Sequence, residues 1–318
     1  MSRIATIAQS RFSVFTALNT QERLFEAQTQ VGTGLKAQDF AGLGQEAGRL
    51  VSVRNEFSRV EQFRSNIETT ERRLELMSFS LERVERISHE FRTTLLNAKN
   101  GETANVIGLP ALAQGLLDQI SDLLNVKDES RFLFAGGNIQ NKPVDLNNGT
   151  YTPPTVPPFP AVADTDWYGG DNVTQQSRID EDFVINYGVK ANEPAIERVI
   201  RAFDAISEIT FTSPPSAAEV TAVDDAIALL TVAIEAPPVG EKTLNELFSE
   251  VELNRVLLRD VNIKHENFAA FAEQTIIDIE QVDPAEAITR LNIEQVSLEA
   301  SFATIARIQS LSLLNFLR

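Results

Sequence analysis

Few side chains in this sequence are of the types that enzymes use as nucleophiles or metal ligands. Cysteine is absent, and His89 and His265 are the only histidines in 318 residues. Without cysteine there is no disulfide, no thiolate nucleophile and no cysteine metal site. Both histidines lie within long helical patterns, where a structural imidazole is much commoner than a catalytic base. We therefore predict a structural role for both.

Two loops partly match known binding motifs. Residues 164–169 place acids at the first and third positions and glycine at the sixth position of a calcium loop. However, Tyr168 occupies the fifth position and Gln175 the twelfth, where carboxylates are expected. Residues 136–137 are both glycine but lack the Gly-Lys-Ser/Thr continuation of a phosphate-binding loop. Both loops are predicted to be turns, and no metal ligand is assigned.

Other candidates for chemistry are acidic pairs and adjacent aromatic residues. The acids at residues 180–182 and 224–225 could supply an acid and a base, but a chain with 45 acidic residues exposes most of them to solvent. Trp167 and Tyr168 could stack on a sugar in a binding or hydrolytic module spanning residues 138–240, although core packing is commoner. We predict no catalytic residue, no cofactor and no enzymatic activity.

Charge and hydropathy narrow the classes of partner. The sequence has 28 Lys and Arg against 45 Asp and Glu, a net charge of −17 that repels nucleic acid and anionic membranes. No apolar run reaches the length that spans a bilayer. The first residues lack the apolar core of a Sec signal, which leaves export by another machine open. We expect neither nucleic-acid binding nor membrane insertion.

A heptad pattern organises the segment from Val53 to Ala98. Neither glycine nor proline interrupts it, so one helix of about 70 Å is expected, longer than a compact domain is wide. A rod of this kind must bury its apolar stripe against another helix. The predicted a and d positions are Val53, Val60, Phe63, Ile67, Thr70, Leu74, Met77, Leu81, Val84, Phe91, Leu95 and Ala98.

A second heptad pattern begins at Leu244 and supplies the partner. It ends near residue 283, where Asp283, Pro284 and Glu286 form an N-cap signature for a new helix. The predicted fold class is mainly α, an elongated antiparallel coiled-coil rod built from both chain ends, with a small α+β insertion. The second seam comprises Leu247, Val251, Leu258, Val261, Phe268, Ala272, Ile279 and Val282.

The sequence between the two seams is irregular. Glycines crowd residues 32–48 and predict a break after the first helix. Helices are predicted to begin at Pro110 and Pro194, and a further helix to span residues 217–236. A short strand followed by a glycine turn is predicted at residues 131–137, and further strands at 173–179 and 182–185. The predicted domains are an assembly segment at 1–48, rod segments at 49–132 and 241–282, an inserted outer α+β domain at 133–240, and an assembly helix at 283–318.

Both chain ends carry amphipathic helical patterns that exceed what the rod needs. One interpretation is that they complete a bundle within the chain. The other is that they fold against neighbouring copies during assembly. We favour the second, and the predicted assembly residues are Ile4, Ile7, Val14, Leu18, Phe25, Leu298, Phe302, Ile305, Leu311 and Leu314.

Several segments resemble the bacterial flagellin superfamily. Residues 30–36, Gln-Val-Gly-Thr-Gly-Leu-Lys, resemble the segment that precedes the family's long helix. The Leu-rich helix at residues 109–120 runs into Arg-Phe-Leu-Phe-Ala-Gly-Gly at 131–137, as in the hook–filament junction members. Residues 168–171 look like the Tyr-x-Gly-Asp element that follows in that branch, and residues 297–317 resemble its closing helix. The resemblance covers roughly the first 140 and last 75 residues.

Two departures weigh against a filament subunit more than against a junction subunit. The family's paired-Asp segment is replaced by Gln-Asp-Phe-Ala-Gly-Leu at residues 38–43, and the Asn-Thr-Asn opening of filament flagellins is absent. The resemblance implies a structural subunit that is exported through the flagellar channel with an export chaperone. It also implies assembly with copies of itself, a hook-associated protein and flagellin in the extracellular flagellum. A filament flagellin and a cytosolic coiled-coil scaffold stay open as alternatives.

Overall fold

The computed structural model describes residues 2–100, 108–154 and 163–316. Helices dominate these ranges, and the strands form two small antiparallel pairs. The expectation of a mainly α chain with a small α+β part is confirmed. In chain order the elements are α1 (Ser2–Thr33), α2 (Glu46–Asn100), α3 (Leu109–Leu124), β1 (Lys127–Asp128), β2 (Arg131–Phe132), β3 (Gln175–Arg178), β4 (Val184–Tyr187), α4 (Pro194–Ser207), α5 (Ala217–Ile234), α6 (Leu244–Glu280) and α7 (Pro284–Phe316).

Two compact units make up the chain. The terminal unit comprises Met1–Val60 and Glu266–Arg318, and the middle unit comprises Glu61–His265. Both α2 and α6 contribute a segment to each unit. The five-part division made from the sequence stays a prediction.

In the terminal unit, the glycine-rich turn between α1 and α2 is joined to the turn between α6 and α7. Gly34 ends α1 with a φ of +74°, a conformation that costs glycine no steric penalty. Leu35 and Gln281 form an antiparallel bridge, and the amide of Val282 donates to the carbonyl of Gly34 at 3.0 Å. The two connections are thus fixed to each other by backbone hydrogen bonds.

In the middle unit, α2 and α6 pack antiparallel along the predicted seams. Arg259 binds Glu71 at 2.6 Å, and Ser78 donates to Glu252 at 2.5 Å, so seven residues forward on α2 match seven residues backward on α6. Leu247, Val251 and Leu258 are buried on the α6 side. The buried seam positions of α2 are Phe63, Ile67, Thr70, Leu74, Met77, Leu81, Val84, Phe91, Leu95 and Ala98.

The centre of the middle unit is α4, whose apolar and polar residues are buried alike. Phe203 of α4 stacks on Phe91 of α2, with ring centroids 4.2 Å apart. Helices α3 and α5 both pack against α4. At α5, the hydroxyl of Ser216 accepts from the amide of Glu219, whose carboxylate accepts from the Ser216 amide, a capping box that fixes where the helix begins.

A tight turn follows β2, as the glycine pair predicts. Only residues 131–132 pair as a strand, because the side chains of Leu133 and Phe134 both enter the core instead of alternating between two faces. Gly136 has a φ of +66°, and the amide of Gly137 donates to the Asp171 carboxylate at 2.6 Å. The turn therefore brings two distant segments into contact.

Candidate assembly interface

The two histidines occupy structural positions. His265 is buried, with Nε2 2.8 Å from the carbonyl oxygen of Ile179 and its ring stacked on Phe63 at 5.7 Å. His89 lies on α2 at 4.0 Å from the Glu85 carboxylate, in helical i,i+4 spacing.

The other candidates for chemistry are also part of the fold. Trp167 is buried, and the hydroxyl of Tyr168 donates to the carbonyl of Asp171 at 2.8 Å, so neither ring is presented to a sugar. The acids at residues 180–182 are exposed, and Asp224 pairs with Lys99 at 2.5 Å. In the described ranges no three His, Asp or Glu side chains are grouped as metal ligands would be.

Buried carboxylates in the middle unit stabilise packing contacts. Asp128 accepts from Arg72 Nε at 2.9 Å and from Arg73 Nε at 3.0 Å, and the bond from Arg72 is the main cause that lowers the pKa of Asp128. Asp204 accepts from the Tyr151 hydroxyl at 2.6 Å, while burial raises the pKa of Asp204. These groups tie loops and strands to α2 and α4.

The terminal unit contains a helical pair whose fully buried side chains are small. α1 and α7 run antiparallel, and Arg23 binds Glu294 across them at 3.5 Å. The buried side chains of the pair are small because small residues let two helix backbones approach closely. We call them the small-residue seam: Ala17, Thr20, Ala27 and Ala287.

Three exposed apolar side chains of α1 form a stripe on the side away from α7. Val14, Leu18 and Phe25 follow the i, i+4, i+11 spacing of one helical stripe, which is turned by more than 100° from the small-residue seam. Leu18 is 58% exposed and Phe25 is 70% exposed, values far above those of core residues. These three residues form the α1 outer face.

A similar apolar stripe runs along the exposed surface of α7. Ile293 and Val296 are 58% and 64% exposed, and Ala300 and Ala303 continue the same line along the helix. These four residues form the α7 outer face. The helical pair therefore presents an apolar surface on each of two opposite sides.

The structure distributes the ten predicted assembly residues over different environments. Val14, Leu18, Phe25 and Phe302 are exposed, whereas Leu298 and Ile305 are half-buried on the side of α7 that faces α1. The latter two thus support the pair within the chain. The side chains of four further predicted residues lie outside the described part of the structure: Ile4, Ile7, Leu311 and Leu314.

The sequence interpretation missed the α7 outer face and the small-residue seam. Ile293 and Val296 are three residues apart, a helical spacing that could have identified them. Ala17 and Ala27 gave no signal in a search for large apolar positions. Their spacing on one helical face, together with Thr20, was the available clue.

The terminal unit is close to neutral. Its residues include 10 Lys and Arg and 13 Asp and Glu, a net charge of −3, whereas the middle unit has 18 and 32, a net charge of −14. Copies that approach through their terminal units therefore experience little of the repulsion expected from the whole chain.

Comparison with known proteins gives the family of the C-terminal helices. Residues 254–317 match the model of the bacterial flagellin C-terminal helical region. This region is therefore similar to the C-terminal helices of bacterial flagellins. The matched residues run from the last part of the middle unit through the whole α7 outer face. The flagellin resemblance inferred from the sequence is confirmed.

Three solved structures that were found to be similar to this chain carry flagellar names. A chain from Vibrio parahaemolyticus, named as a flagellar hook-associated protein, shares 17% identity at a TM-score of 0.53, covering 76% of this chain and 99% of that one. FlgL of Bacillus cereus shares 13% identity at a TM-score of 0.47, covering 73% and 99%. Flagellar hook-associated protein 3 of Legionella pneumophila shares 12% sequence identity at a TM-score of 0.40, and the match covers 81% of this chain and 98% of that one. No curated sequence matches at a significant level.

Proposed function

We propose that this chain is a structural subunit of the bacterial flagellum that assembles through its terminal helices and joins hook to filament. The observation that carries the proposal is the helical pair of the terminal unit. Small residues close the pair, and large apolar residues such as Leu18, Phe25 and Val296 face outward. The flagellin-type C-terminal region contains part of this surface.

The energetics favour assembly over an isolated subunit. Burying one large apolar side chain is worth about 1.5–3 kcal/mol, before the cost of ordering is subtracted. Phe25 and Val296 are mostly exposed in the single chain, so contact with another molecule would realise this term. The small net charge of the terminal unit leaves that gain largely unopposed by repulsion.

The proposed function also implies which molecules this chain binds and where it acts relative to the cell. The partners are copies of this chain in a ring or tube, the neighbouring hook-associated protein and flagellin, and an export chaperone. The chain acts outside the cell, in the flagellum, after export through the flagellar channel. None of the described helices has both the length and the apolarity needed to cross a membrane.

The same proposal assigns no catalytic role. The histidines, the Trp167–Tyr168 pair and the buried carboxylates each make contacts that the fold uses. A structural subunit requires surfaces that match those of its neighbours, and the terminal unit supplies such surfaces.

The direct experiment removes the chain from the bacterium that encodes it. Deleting the gene should leave hooks on the cells, remove filaments and release flagellin into the medium, as seen by electron microscopy and immunoblotting. Truncation of residues 289–318, which removes the α7 outer face, should give the same result. Restoring the full chain, or a chain with Val239→Ser at a fully exposed site of the middle unit, should restore filaments. Normal swimming in the deletion strain would refute the proposal.

Purified chain separates a junction subunit from a filament flagellin. A junction subunit should stop after a short ring, and a filament flagellin should elongate into fibres without limit. Light scattering together with electron microscopy of concentrated protein measures the difference. Long fibres formed by this chain alone would assign it to the filament.

A further inference from the structure

The helical pair of the terminal unit has two apolar surfaces, and they differ from each other. The α1 outer face is built from Val14, Leu18 and Phe25, and the α7 outer face contains Ile293 and Val296 followed by two alanines. We propose that the α1 outer face of one copy docks on the α7 outer face of the next copy. This inference rests on the proposed function, and it names the two surfaces that meet.

A contact between unlike faces fits a ring or tube. If the α1 outer face bound its own equivalent on another copy, the two copies would be related by a twofold axis and the contact would close as a dimer. A contact between two different surfaces leaves one of each free after every addition. Because the two outer faces lie on opposite sides of the helical pair, each copy can contact a neighbour on both sides.

The register within the chain sets which residues would meet. Copies related by rotation about a common axis keep α1 of one copy antiparallel to α7 of the next. Arg23 and Glu294 lie at the same level of the helical pair. Copies at equal height therefore bring Leu18 between Val296 and Ala300.

The same register extends in both directions along the helices. Phe25 falls near Ile293, and Val14 falls near Ala303. Large side chains of α1 thus oppose smaller ones of α7, as packing between helix surfaces requires. The faces are complementary in size as well as in apolarity.

Charge favours the same pairing. Residues 1–60 contain 7 Lys and Arg and 5 Asp and Glu, a net charge of +2, whereas residues 266–318 contain 3 and 8, a net charge of −5. A contact between the amino-terminal part of one copy and the carboxy-terminal part of another joins opposite signs. Contacts between two carboxy-terminal parts would join like charges, which lowers their association rate and stability.

The absence of native cysteine allows a clean cross-linking test. A chain carrying both Leu18→Cys and Val296→Cys is produced in the bacterium under reducing conditions, and its flagella are isolated and then mildly oxidised. The two cysteines lie on opposite sides of the helical pair, so a disulfide within one chain is geometrically excluded. Phe25→Cys with Ile293→Cys provides a second, independent pair of positions for the same cross-link.

Matched controls use the neighbouring residues. Asn19→Cys with Gln295→Cys places thiols on the same helices at exposed sites that are turned by about 100° from the outer faces. Each of Leu18→Cys and Val296→Cys is also tested alone. The chain is quantified in reduced samples of the same flagella, which measures assembly separately from cross-linking.

The expected result is a ladder of multimers from each double variant and loss of most of the monomer on non-reducing gels. The single variants and the control pair should remain monomeric. A dimer from Leu18→Cys alone, or assembled flagella in which neither double variant forms a ladder, would overturn the docking and leave the proposed function intact. Absence of the wild-type chain from isolated flagella would overturn both.

Discussion

The turn after β2 depends on a residue without a side chain. A Cβ added to Gly136 would lie 2.4 Å from the backbone oxygen of Asp171, a distance that requires the backbone to move. The φ of +66° adds a further penalty for any other residue. The close approach of two chain segments at this turn therefore explains why glycine is present.

We expect Gly136→Ala to destabilise the middle unit by about 1–3 kcal/mol, from backbone strain and steric overlap. Gly115 provides the control, since it lies in α3 with open space around it and its replacement by alanine should stabilise the helix by about 0.5–1 kcal/mol. Chemical denaturation of both variants measures the difference. Equal stability of Gly136→Ala and wild type would refute the packing argument.

We expect pH to affect folding stability in opposite directions through two buried carboxylates. The folded-state pKa of Asp204 is raised by burial, so its contribution to stability is fully present below its unfolded pKa and is lost as pH rises through the folded value. Asp204→Asn keeps an acceptor for the Tyr151 hydroxyl and should therefore gain stability relative to wild type on going from acidic to neutral pH. Denaturant unfolding at several pH values provides the measurement.

Asp128→Asn serves as the matched contrast in the same series. The hydrogen bond from Arg72 lowers the folded-state pKa of Asp128, so its stabilisation is present above the unfolded pKa and is lost as pH falls through the folded value. This variant should lose stability at neutral pH, and its deficit should shrink in acid. The same sign of pH dependence for both variants would contradict the assignments.

Residue types narrowed the candidates for chemistry, but residue types alone did not predict the contacts that these side chains make. The absence of cysteine and the position of His265 in a helical pattern already favoured structural roles. The bond between His265 and Ile179, which joins residues far apart in the sequence, had no local signature. Tyr151 and Asp204 similarly meet only because α4 is buried at the centre of the middle unit.

Among the elements, the heptad seams of α2 and α6 were the most predictable. Their large apolar residues recur at regular spacing, and residues such as Leu74, Leu81 and Leu258 are buried as that pattern requires. The α1–α7 pair was harder to predict, because Ala17 and Ala27 form its seam while large residues face outward. Hydrophobic periodicity identifies the most apolar face, and in α1 that face is not the one buried within the chain.

We expect Ala27→Leu to weaken the α1–α7 pair. Ala27 is fully buried, so a larger side chain would force the helices apart at a cost of about 1–3 kcal/mol. Gln28→Leu adds the same side chain at the adjacent exposed position and should leave the pair intact. Hydrogen exchange of α1 amides in the purified chain reports the difference, and unchanged protection in Ala27→Leu would contradict the small-residue seam.

For the molecule as a whole, the prediction about partners depended on composition and not on a local motif. The net charge of −17 disfavoured nucleic acid and membranes, and the structure concentrates that charge in the middle unit. The near-neutral terminal unit is the part through which copies can approach. The sequence alone could not show this, because the terminal unit combines residues from both ends of the chain.

The central claim is that the apolar outer faces of the terminal helices bind neighbouring molecules in the assembly. Leu18→Asp introduces a charge on the α1 outer face, and Asn19→Asp introduces the same charge on the adjacent residue, which points elsewhere. Both positions are exposed in the single chain, so unfolding of the purified variants should match wild type. The decisive measurement is the fraction of hooks that carry filaments, counted by electron microscopy in cells that export each variant at wild-type levels. We predict bare hooks with Leu18→Asp and normal filaments with Asn19→Asp, and normal filaments with both would contradict the account.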